Sequence, residues 1–366
     1  MSGLRNVKHH VLRDFKQEYI EDVNRLSEEQ KKDMVQFTCF LYNPNDKQLY
    51  CGVTAFDGEI FWRFDPVNKT WTSLDYAKIH EQFEVKIHRS LELASDGMIY
   101  GATACLYGLK DRLKAPGGSI FRLNPKTGGY EKLAIPIKYD YIQTITLDEK
   151  RQLIYGFTYP VFNFFVYHID TGEVEDYDYI GSITHISAID DDGCFWGTWD
   201  WVNHNLFKYN PDTREITYFD HGTPGSKQEA NIMYPGAGPV DIMINGGDGY
   251  IYIGTTGGSL CRLDPKTAEV TYLAHPAATR RLPGLIVWDD DLLIGAGGDE
   301  EGGFVFSYSR KTNAVTRLGS IVDSETGKKL YRVHDIVRIA DTNTVYVAET
   351  DVPNRSGYLW ECEINL

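Results

Sequence analysis

Three histidines that begin predicted β-strands are the residues most able to do chemistry in this chain. His88 stands beside Arg89 in "KIHRSLEL", His185 lies in "THISAI", and His334 lies in "VHDIVRI". An imidazole titrates near neutral pH, so it can take a proton from carbon or return one to a leaving oxygen. An arginine can hold a substrate carboxylate and make the adjacent C–H more acidic. These residue types predict acid/base chemistry of the kind that β-elimination from a uronic acid requires.

A repeat of roughly 40 to 55 residues supplies the strands that must position these histidines. Copies such as "LIYGFTYPVFNFFVYHIDTGEVEDY" and "YIYIGTTGGSLCRLDPKTAEVTYL" each contain two strands, an Asx- or Gly-containing turn and a third strand. A further short apolar run precedes each copy, which makes four strands in each unit. Six copies and a seventh that ends one strand short predict an all-β, seven-bladed β-propeller of four-stranded antiparallel blades.

The missing strand of the last blade has a candidate donor near the N-terminus. Residues 6–14 predict an outer strand that closes the ring by pairing with the last segment. Residues 18–34 predict a short helical segment, in which Ser27 and Gln30 have the spacing of a capping box. The blades then run from about residue 35 to residue 366, and the whole chain 1–366 is predicted to be one domain.

The first strand of each blade lines the central channel of a propeller, so equivalent positions in these strands meet on one ring. Counted back from the second-strand glycine, His88 aligns with His334. Arg89 aligns in the same way with His185, Asp241 and Asp335, and Arg89 and these two aspartates are candidates for contacting a substrate. Successive side chains of a regular strand point to opposite faces, so only one of His88 and Arg89 is expected to face the axis. The other is then expected to pack between blades.

Aromatic and basic residues in the loops after the second strands extend this candidate site. Tyr159, Trp199 and Trp201 leave two neighbouring second strands, where they could stack on a sugar ring or fill the gap between blades. Tyr159 is also a candidate catalytic acid or base. Arg355, in the loop "DVPNRSG", could contact a substrate or remain a solvated loop charge.

A divalent metal ion is the only cofactor that the sequence suggests. His88, His185 and His334 could provide three nitrogen ligands and leave one position open for water. The ligands would come from different blades, and no local His-x-x-x-His pair exists. Metal binding and direct proton transfer therefore stay open as alternatives for these imidazoles.

Charge and composition exclude several classes of partner. The formal net charge of −15 would repel a phosphate backbone, so nucleic acid is not an expected partner. The N-terminus lacks the apolar core of a signal peptide and no 18-residue apolar stretch occurs, so we expect a cytoplasmic protein without a membrane span. Six widely spaced cysteines predict reduced core residues. Gly-x-Ser-x-Gly, P-loop and dinucleotide-binding motifs are absent.

The repeat, together with the histidines and the arginine, resembles the seven-bladed propellers of streptogramin lyases and of polysaccharide lyases that act on ulvan or on rhamnose-glucuronate chains. The resemblance implies a lyase in which a His or Tyr is base or acid and an Arg neutralises the substrate carboxylate. His88, His185, His334 and Tyr159 fit the first role here, and Arg89 fits the second. The expected substrate is a uronate-containing oligosaccharide or a similar small acidic metabolite. The alternative is a non-catalytic propeller that binds a protein, peptide or carbohydrate on its top face.

Overall fold

Strands dominate the structure, as the repeat predicts. The computed structural model describes residues 2–15, 26–106, 109–182, 184–224 and 240–366, and in these residues 28 strands form seven four-stranded antiparallel sheets. Sheets that follow one another in the chain also pack together, and the sheet containing the C-terminal strands packs against the first one. The predicted seven-bladed β-propeller is confirmed.

Within each blade the strands follow the chain from the central channel outward. The strands of blades one to three are β2–β5 (Gln36–Asn43, Gln48–Thr54, Phe61–Asp65, Thr70–Ser73), β6–β9 (Leu91–Leu93, Ile99–Ala102, Ile120–Asn124, Gly129–Ala134) and β10–β13 (Tyr141–Asp148, Leu153–Tyr159, Asn163–His168, Val174–Tyr179). Those of blades four and five are β14–β17 (Ala188–Ile189, Phe195–Trp199, Asn205–Asn210, Glu215–Tyr218) and β18–β21 (Val240–Asn245, Ile251–Thr255, Leu260–Leu263, Val270–Ala274). Those of blades six and seven are β22–β25 (Gly284–Val287, Leu292–Gly297, Phe304–Ser309, Val315–Ser320) and β26–β28 (Val333–Arg338, Thr344–Glu349, Leu359–Asn365), which β1 (Gly3–His10) completes.

A glycine in the second strand and a phenylalanine opposite it in the third strand recur in five blades. A β-carbon at Gly101 would overlap the ring of Phe121, and one at Gly295 would overlap the ring of Phe306. The glycine therefore makes room for the aromatic ring to lie across the strand and pack towards the next blade. The five cross-strand pairs are Gly52–Phe61, Gly101–Phe121, Gly156–Phe165, Gly197–Phe207 and Gly295–Phe306.

The N-terminal strand closes the ring in the predicted way but over different residues. β1 pairs antiparallel with β28, with Gly3 opposite Asn365 and His10 opposite Leu359. The prediction of residues 6–14 was therefore wrong in its bounds. β28 begins at Leu359, so the ladder has no partner for residues beyond His10.

The predicted helical segment is also shorter in the described part of the chain. A helix, α1, spans Glu28–Lys32, and residues 18–25 of the prediction lie outside the described residues. The capping box is confirmed: the Gln30 amide donates to Ser27 Oγ at 3.2 Å, and the Ser27 amide donates to Gln30 Oε1 at 2.9 Å. The described residues also contain 3₁₀ turns at Tyr76–Lys78 and Leu109–Lys114.

The six cysteines are buried and unbonded to one another, in agreement with the expectation of core thiols. Burial raises the pKa of the Cys39 thiol to about 12, so this sulfur stays protonated at neutral pH. Among the described residues, no helix combines the length and hydrophobicity needed to cross a membrane.

Glu361 joins the closing strand to the first blade, and this gives a prediction about acid stability. Its carboxylate lies 2.7 Å from His10 Nε2 and accepts a hydrogen bond from Lys69 Nζ at 2.8 Å. Burial alone would raise the pKa of Glu361, but His10 and Lys69 lower it to about 2. A carboxyl whose pKa is lowered by folding stabilises the fold above its unfolded-state pKa, and this stabilisation is lost as the pH falls towards the folded value.

We therefore expect Glu361→Gln to destabilise the protein at pH 7 by about 1–3 kcal/mol, at ~1.4 kcal/mol per pKa unit and with some loss to solvent screening. The difference between variant and wild type should shrink as the pH falls from 4.5 towards 2. Urea unfolding of both proteins over this range measures it. A difference that does not change with pH would contradict this account of ring closure.

Candidate functional site

The polar residues predicted on the first strands meet on the axis of the ring. The centre of the His88 ring lies 5.0 Å from that of His334 and 5.8 Å from that of His185. These histidines come from blades two, seven and four, so only ring closure brings them together. Every predicted member of this axial cluster is buried: His88, Arg89, His185, Asp241, His334 and Asp335.

β-Bulges in four innermost strands turn side chains into the channel. The pairing register shifts by one residue at Thr38, Gln143, Asp241 and His334, in blades one, three, five and seven. A bulge inserts an extra residue, breaks the alternation of the strand and re-aims the side chain. Thr38 and His334 line a cavity on the axis, and Asp241 joins the axial cluster.

Arg89 and Arg281 enter the channel by a different route. Arg89 precedes β6 and has a φ of 46°, and Arg281 precedes β22 and has a φ of 68°. Few non-glycine residues adopt this left-handed conformation, which breaks strand alternation. The expectation that only one of His88 and Arg89 faces the axis was therefore wrong: His88 reaches the other imidazoles, and Arg89 Nη1 donates to the Asp241 carbonyl oxygen at 2.7 Å.

Asp241 is the centre of the charged part of the cluster. Arg281 Nη2 donates to its Oδ1 at 2.9 Å, His185 Nδ1 lies 3.2 Å from the same oxygen, and Arg89 Nη2 lies 3.8 Å from it. Burial alone would raise the pKa of Asp241, but Arg281, His185 and Arg89 hold it far below the usual range. Burial also lowers the pKa of His185 to about 4. One buried carboxylate therefore offsets part of the charge of two buried guanidinium groups inside the ring.

His88 and His334 are less completely satisfied by the protein. His88 Nδ1 lies 2.7 Å from the Gln143 carbonyl oxygen, which can only accept, so Nδ1 carries the proton and Nε2 keeps its lone pair. His334 Nδ1 is buried and has no hydrogen-bond partner among the described residues. Burial, then the nearby cations Lys86 for His88 and Arg89 for His334, lower both pKa values well below 6.5. Both rings are neutral at pH 7.

Asp335 performs a structural task instead of facing the channel centre. Its carboxylate accepts from the backbone amides of Phe40 and Ile336, both at 2.8 Å, which ties blade seven to blade one. Burial raises its pKa to about 6. A role in contacting a substrate was predicted for Asp335, but its two oxygens are occupied by these amides.

A cavity of about 260 Å³ lies above the imidazoles, where blades seven, one and two meet. His88 and His334 belong to its lining, and so do residues of the loops that leave the second strands; the face of the ring with these loops is called here the loop face. The complete lining is Met34, Gln36, Thr38, Thr54, Lys86, His88, Leu106, His334, Thr350, Asp351, Val352 and Pro353. The cavity therefore combines two neutral imidazoles with one cation, one carboxylate and several hydroxyl and amide groups.

Lys86 is the cation of this cavity. Its backbone is held between blades one and two by bridges to Thr54 and Ala104. Burial lowers the pKa of Lys86, whereas the charge of Asp351 opposes this shift. Asp351 itself is held by Arg332, whose Nη1 donates to Asp351 Oδ2 at 3.2 Å.

Sequence reasoning missed Lys86 and Arg281. A signal for Lys86 was present, because it lies two residues before His88 and side chains i and i+2 of an extended chain share a face. No comparable signal marked Arg281, which lies outside the predicted first strand of blade six. Gln36 and Thr38 also share one face of the first strand of blade one.

Four predicted residues belong neither to the cavity lining nor to the axial cluster. Tyr159 is half-buried and packs on the Phe162 ring at 5.9 Å. Trp199 Nε1 donates to the Phe219 carbonyl oxygen in the outer part of blade four, and the Trp201 side chain is 49% exposed. Arg355 is held against the buried carboxylate of Glu349, to which its Nη1 and Nη2 donate at 2.7 and 2.8 Å.

The geometry does not fit the suggested metal site. No group of three His, Cys, Asp or Glu side chains in the described ranges is arranged to hold a metal ion. The rings of His88 and His185 meet edge to face, and so do those of His88 and His334. The function proposed below therefore uses no metal-dependent step.

Comparisons with known proteins show the fold alone. No protein-family model and no curated protein sequence matches the chain. A solved structure of the extracellular domain of a hybrid two-component system from B. thetaiotaomicron is 14% identical with a TM-score of 0.57, and the match covers 96% of this chain and 43% of that one. A chain from a mitotic checkpoint complex structure is 10% identical with a TM-score of 0.50, covering 71% of this chain and 69% of that one.

Proposed function

We propose that the axial cavity is an active site for β-elimination from a small uronate-containing saccharide or a similar acidic metabolite. The observation that carries the proposal is the cavity itself, in which Lys86 stands beside two neutral imidazoles. The cation can bind the carboxylate of a uronate, and a neutral imidazole can remove the proton from the carbon next to that carboxylate. Both functions are required at adjacent atoms of the substrate.

His88 is the better candidate for the base. Its bond to the Gln143 carbonyl fixes the tautomer in which Nε2 is free to accept a proton. Lys86 is the largest charge that lowers the pKa of His88. A carboxylate bound to Lys86 would offset this charge, so substrate binding itself would raise the basicity of His88.

His334 is the complementary group for the leaving oxygen. Among the described residues its Nδ1 has no hydrogen-bond partner, and its ring lines the cavity 5.0 Å from that of His88. In the elimination the proton leaves the carbon, the neighbouring C–O bond breaks and a C=C bond forms. The leaving oxygen gains a proton from water or from the His88 imidazolium formed when His88 takes the proton from carbon, and the neutral His334 can contribute a hydrogen bond to that oxygen. Arg89 was the predicted residue for holding the carboxylate, but its side chain is fully buried. Its Nη1 donates to the Asp241 carbonyl oxygen instead.

One observation favours the alternative of binding without reaction. Trp201 and Val202 are 49% and 63% exposed on a loop that leaves a second strand. Exposed aromatic and aliphatic side chains are typical of surfaces that bind a protein, peptide or carbohydrate. Product formation separates the two functions, because elimination creates a conjugated C=C bond with strong ultraviolet absorbance, whereas binding does not.

The role of Lys86 gives a direct test. We expect Lys86→Met to lower kcat/KM for elimination about 10- to 100-fold, since a hydrogen bond to a charged group contributes roughly 1.5–3 kcal/mol. The effect should appear mainly in KM if Lys86 binds the ground-state carboxylate. The rate is followed by the ultraviolet absorbance of the product from uronate oligosaccharides.

Lys126→Met is the matched control, because Lys126 is exposed in a turn on the opposite face. It should leave kcat and KM unchanged. Equal activity of the two variants would show that Lys86 has no role in binding the substrate. Absence of product from every uronate substrate with wild-type protein would refute elimination.

A further inference from the structure

The face of the ring opposite the loop face, called here the turn face, carries the turns that join the first strand of each blade to the second and the third to the fourth. At six of the seven junctions between neighbouring blades, a side chain in or beside one of these turns bonds to the next blade. From the junction of blades two and three round to that of blades seven and one, the bonded pairs are Ser95–Glu149, Arg151–Asp212, Asn245–Asp191, Arg310–Gly246, Arg338–Trp288 and Lys69–Glu361.

The junction between blades one and two differs from the other six. Within the described part of the chain, no hydrogen bond or ion pair joins the turns at 43–48 and 65–70 of blade one to those at 94–98 and 124–129 of blade two. A cavity of about 520 Å³ lies at this junction, within the roughly 300–1,000 Å³ typical of ligand sites. Its lining is Asn43, Asn45, Asp46, Arg63, Ser95, Asp96, Gly97, Met98, Asn124, Pro125 and Lys126.

Two cations of this lining are not paired with a carboxylate. Arg63 is half-buried in the third strand of blade one, where it interacts with the hydroxyl group of its cross-strand neighbour Tyr50. Lys126 is exposed in a turn of blade two, and neither cation forms an ion pair with a described residue. At two other junctions a cation of the turn face does bind a carboxylate, Arg151 at 3.0 Å and Lys69 at 2.7 Å. An anionic group of a ligand could bind Arg63 and Lys126 in the same way.

The carboxylates of the lining are used inside their own turns. Asp46 accepts from the Gln48 amide at 3.1 Å through Oδ1 and from the Tyr50 hydroxyl at 2.6 Å through Oδ2. Asp96 Oδ1 accepts from the Met98 amide at 2.9 Å. Such bonds stabilise the turns and reduce the capacity of both carboxylates to accept from a ligand.

The asparagines of the lining add donors. Asn43 Oδ1 accepts from the backbone amide of Asn45 at 3.0 Å, and Asn124 Oδ1 accepts from that of Lys126 at 3.0 Å. Because these oxygens serve the turns, the Nδ2 groups are left to contact a ligand, and they can only donate. Together with Arg63 and Lys126, they give a lining of mainly hydrogen-bond donors, which suits the oxygens of a carboxylate or a phosphate.

We propose that this cavity, named here the turn cleft, is a second binding site, which holds a small polar molecule by its carboxylate or phosphate group. Arg63 is the main contact of the oxyanion, since a guanidinium group can donate to two of its oxygens at once. Met98 and Pro125 are the only apolar side chains in the lining, so the rest of the ligand is polar as well. The turn cleft and the axial cavity lie on opposite faces, so binding here involves none of the residues proposed for elimination.

Three related six-carbon compounds test the turn cleft by titration calorimetry at low ionic strength. Gluconate carries a carboxylate, glucose 6-phosphate carries a phosphate, and glucose carries neither. We expect one or both anions to bind, and glucose to bind about 10-fold more weakly or worse, because it lacks the charge-assisted hydrogen bonds. Binding of gluconate alone assigns the carboxylate, and binding of glucose 6-phosphate alone assigns the phosphate. Equal binding of glucose, or no binding of either anion, would overturn the proposal.

Two variants and a control show which cavity holds the anion. Arg63→Gln should raise the Kd about 10- to 100-fold, the usual effect of losing a hydrogen bond between charged groups. Lys47 is exposed in a turn of blade one but outside the lining, so Lys47→Gln should leave the Kd unchanged. Lys86→Met, in the axial cavity, should also retain this binding. Binding that is lost in Lys86→Met and kept in Arg63→Gln would place the anion in the axial cavity and sink the proposal.

A substitution that fills the turn cleft covers the case in which Arg63→Gln does not fold. Asn45 is exposed and lines the cleft, whereas Asn68 is exposed in the other turn of blade one and outside the lining. We expect Asn45→Trp to prevent anion binding, because the indole would occupy the cleft, and Asn68→Trp to leave it unchanged. Equal anion binding by these two variants would contradict a site between blades one and two.

Discussion

His88→Asn should lower the rate of elimination about 10²- to 10⁴-fold, the usual contribution of a general base. The amide nitrogen of asparagine can replace Nδ1 in the hydrogen bond to the Gln143 carbonyl, which His88 now makes at 2.7 Å. The substitution thus keeps the structural contact and removes only Nε2, the atom proposed to take the proton. The loss should therefore fall on kcat, with KM little changed, as measured by steady-state kinetics on a uronate oligosaccharide.

His275→Asn is the matched control for this variant. His275 is exposed in a loop outside the axial cluster, so its replacement should leave the kinetics unchanged. Circular dichroism and the melting temperature of both variants show whether the fold is intact. A folded His88→Asn protein with the wild-type rate would mean that His88 has only a structural role.

Asp241→Asn should be the most destabilising single substitution at the axis, with a loss of about 3–5 kcal/mol in the free energy of unfolding. Asp241 is fully buried and neutralises Arg281 at 2.9 Å and Arg89 at 3.8 Å. Asparagine has the same shape but no charge, so the two buried guanidinium groups would lose the carboxylate that offsets their charge. Urea unfolding followed by intrinsic fluorescence measures the loss.

Asp212→Asn provides the surface comparison, because Asp212 pairs with Arg151 at 3.0 Å but is 70% exposed. A change within about 1 kcal/mol is expected there. Asp241→Asn combined with Arg281→Met restores the charge balance, so the double variant should recover part of the stability lost by Asp241→Asn. Equal losses at Asp241 and Asp212 would contradict the role assigned to the buried network.

Most of the fold was predictable because each blade repeats the same local pattern of strands and turns. The second-strand glycine that admits a phenylalanine, as in Gly101 and Phe121, has a visible sequence pattern. The closing strand was predictable because the seventh unit lacked a partner. The bounds of this strand could not be predicted, because they depend on where β28 begins.

The site was predictable only to the level of the ring. Equivalent positions of the first strands placed His88 and His334 together, and the structure agrees. The bulge at His334 and the positive φ of Arg89 depend on tertiary contacts, so neither could be predicted from the residue type. The prediction from strand alternation was therefore wrong about which side chains meet. Lys86 was not predicted because a lysine at the start of a strand is usually a solvated charge, and its place in the cavity depends on the closed ring.

The hydrogen bond across the channel has a mechanical consequence for the whole ring. Units of a repeat architecture normally touch only their neighbours, so one unit can open while the rest persist. In this ring, blades two and five are also joined at the axis by the hydrogen bond from Arg89 to Asp241. Opening either blade would break that bond and leave one charged partner buried without the other, so we expect the seven blades to unfold together in one cooperative step.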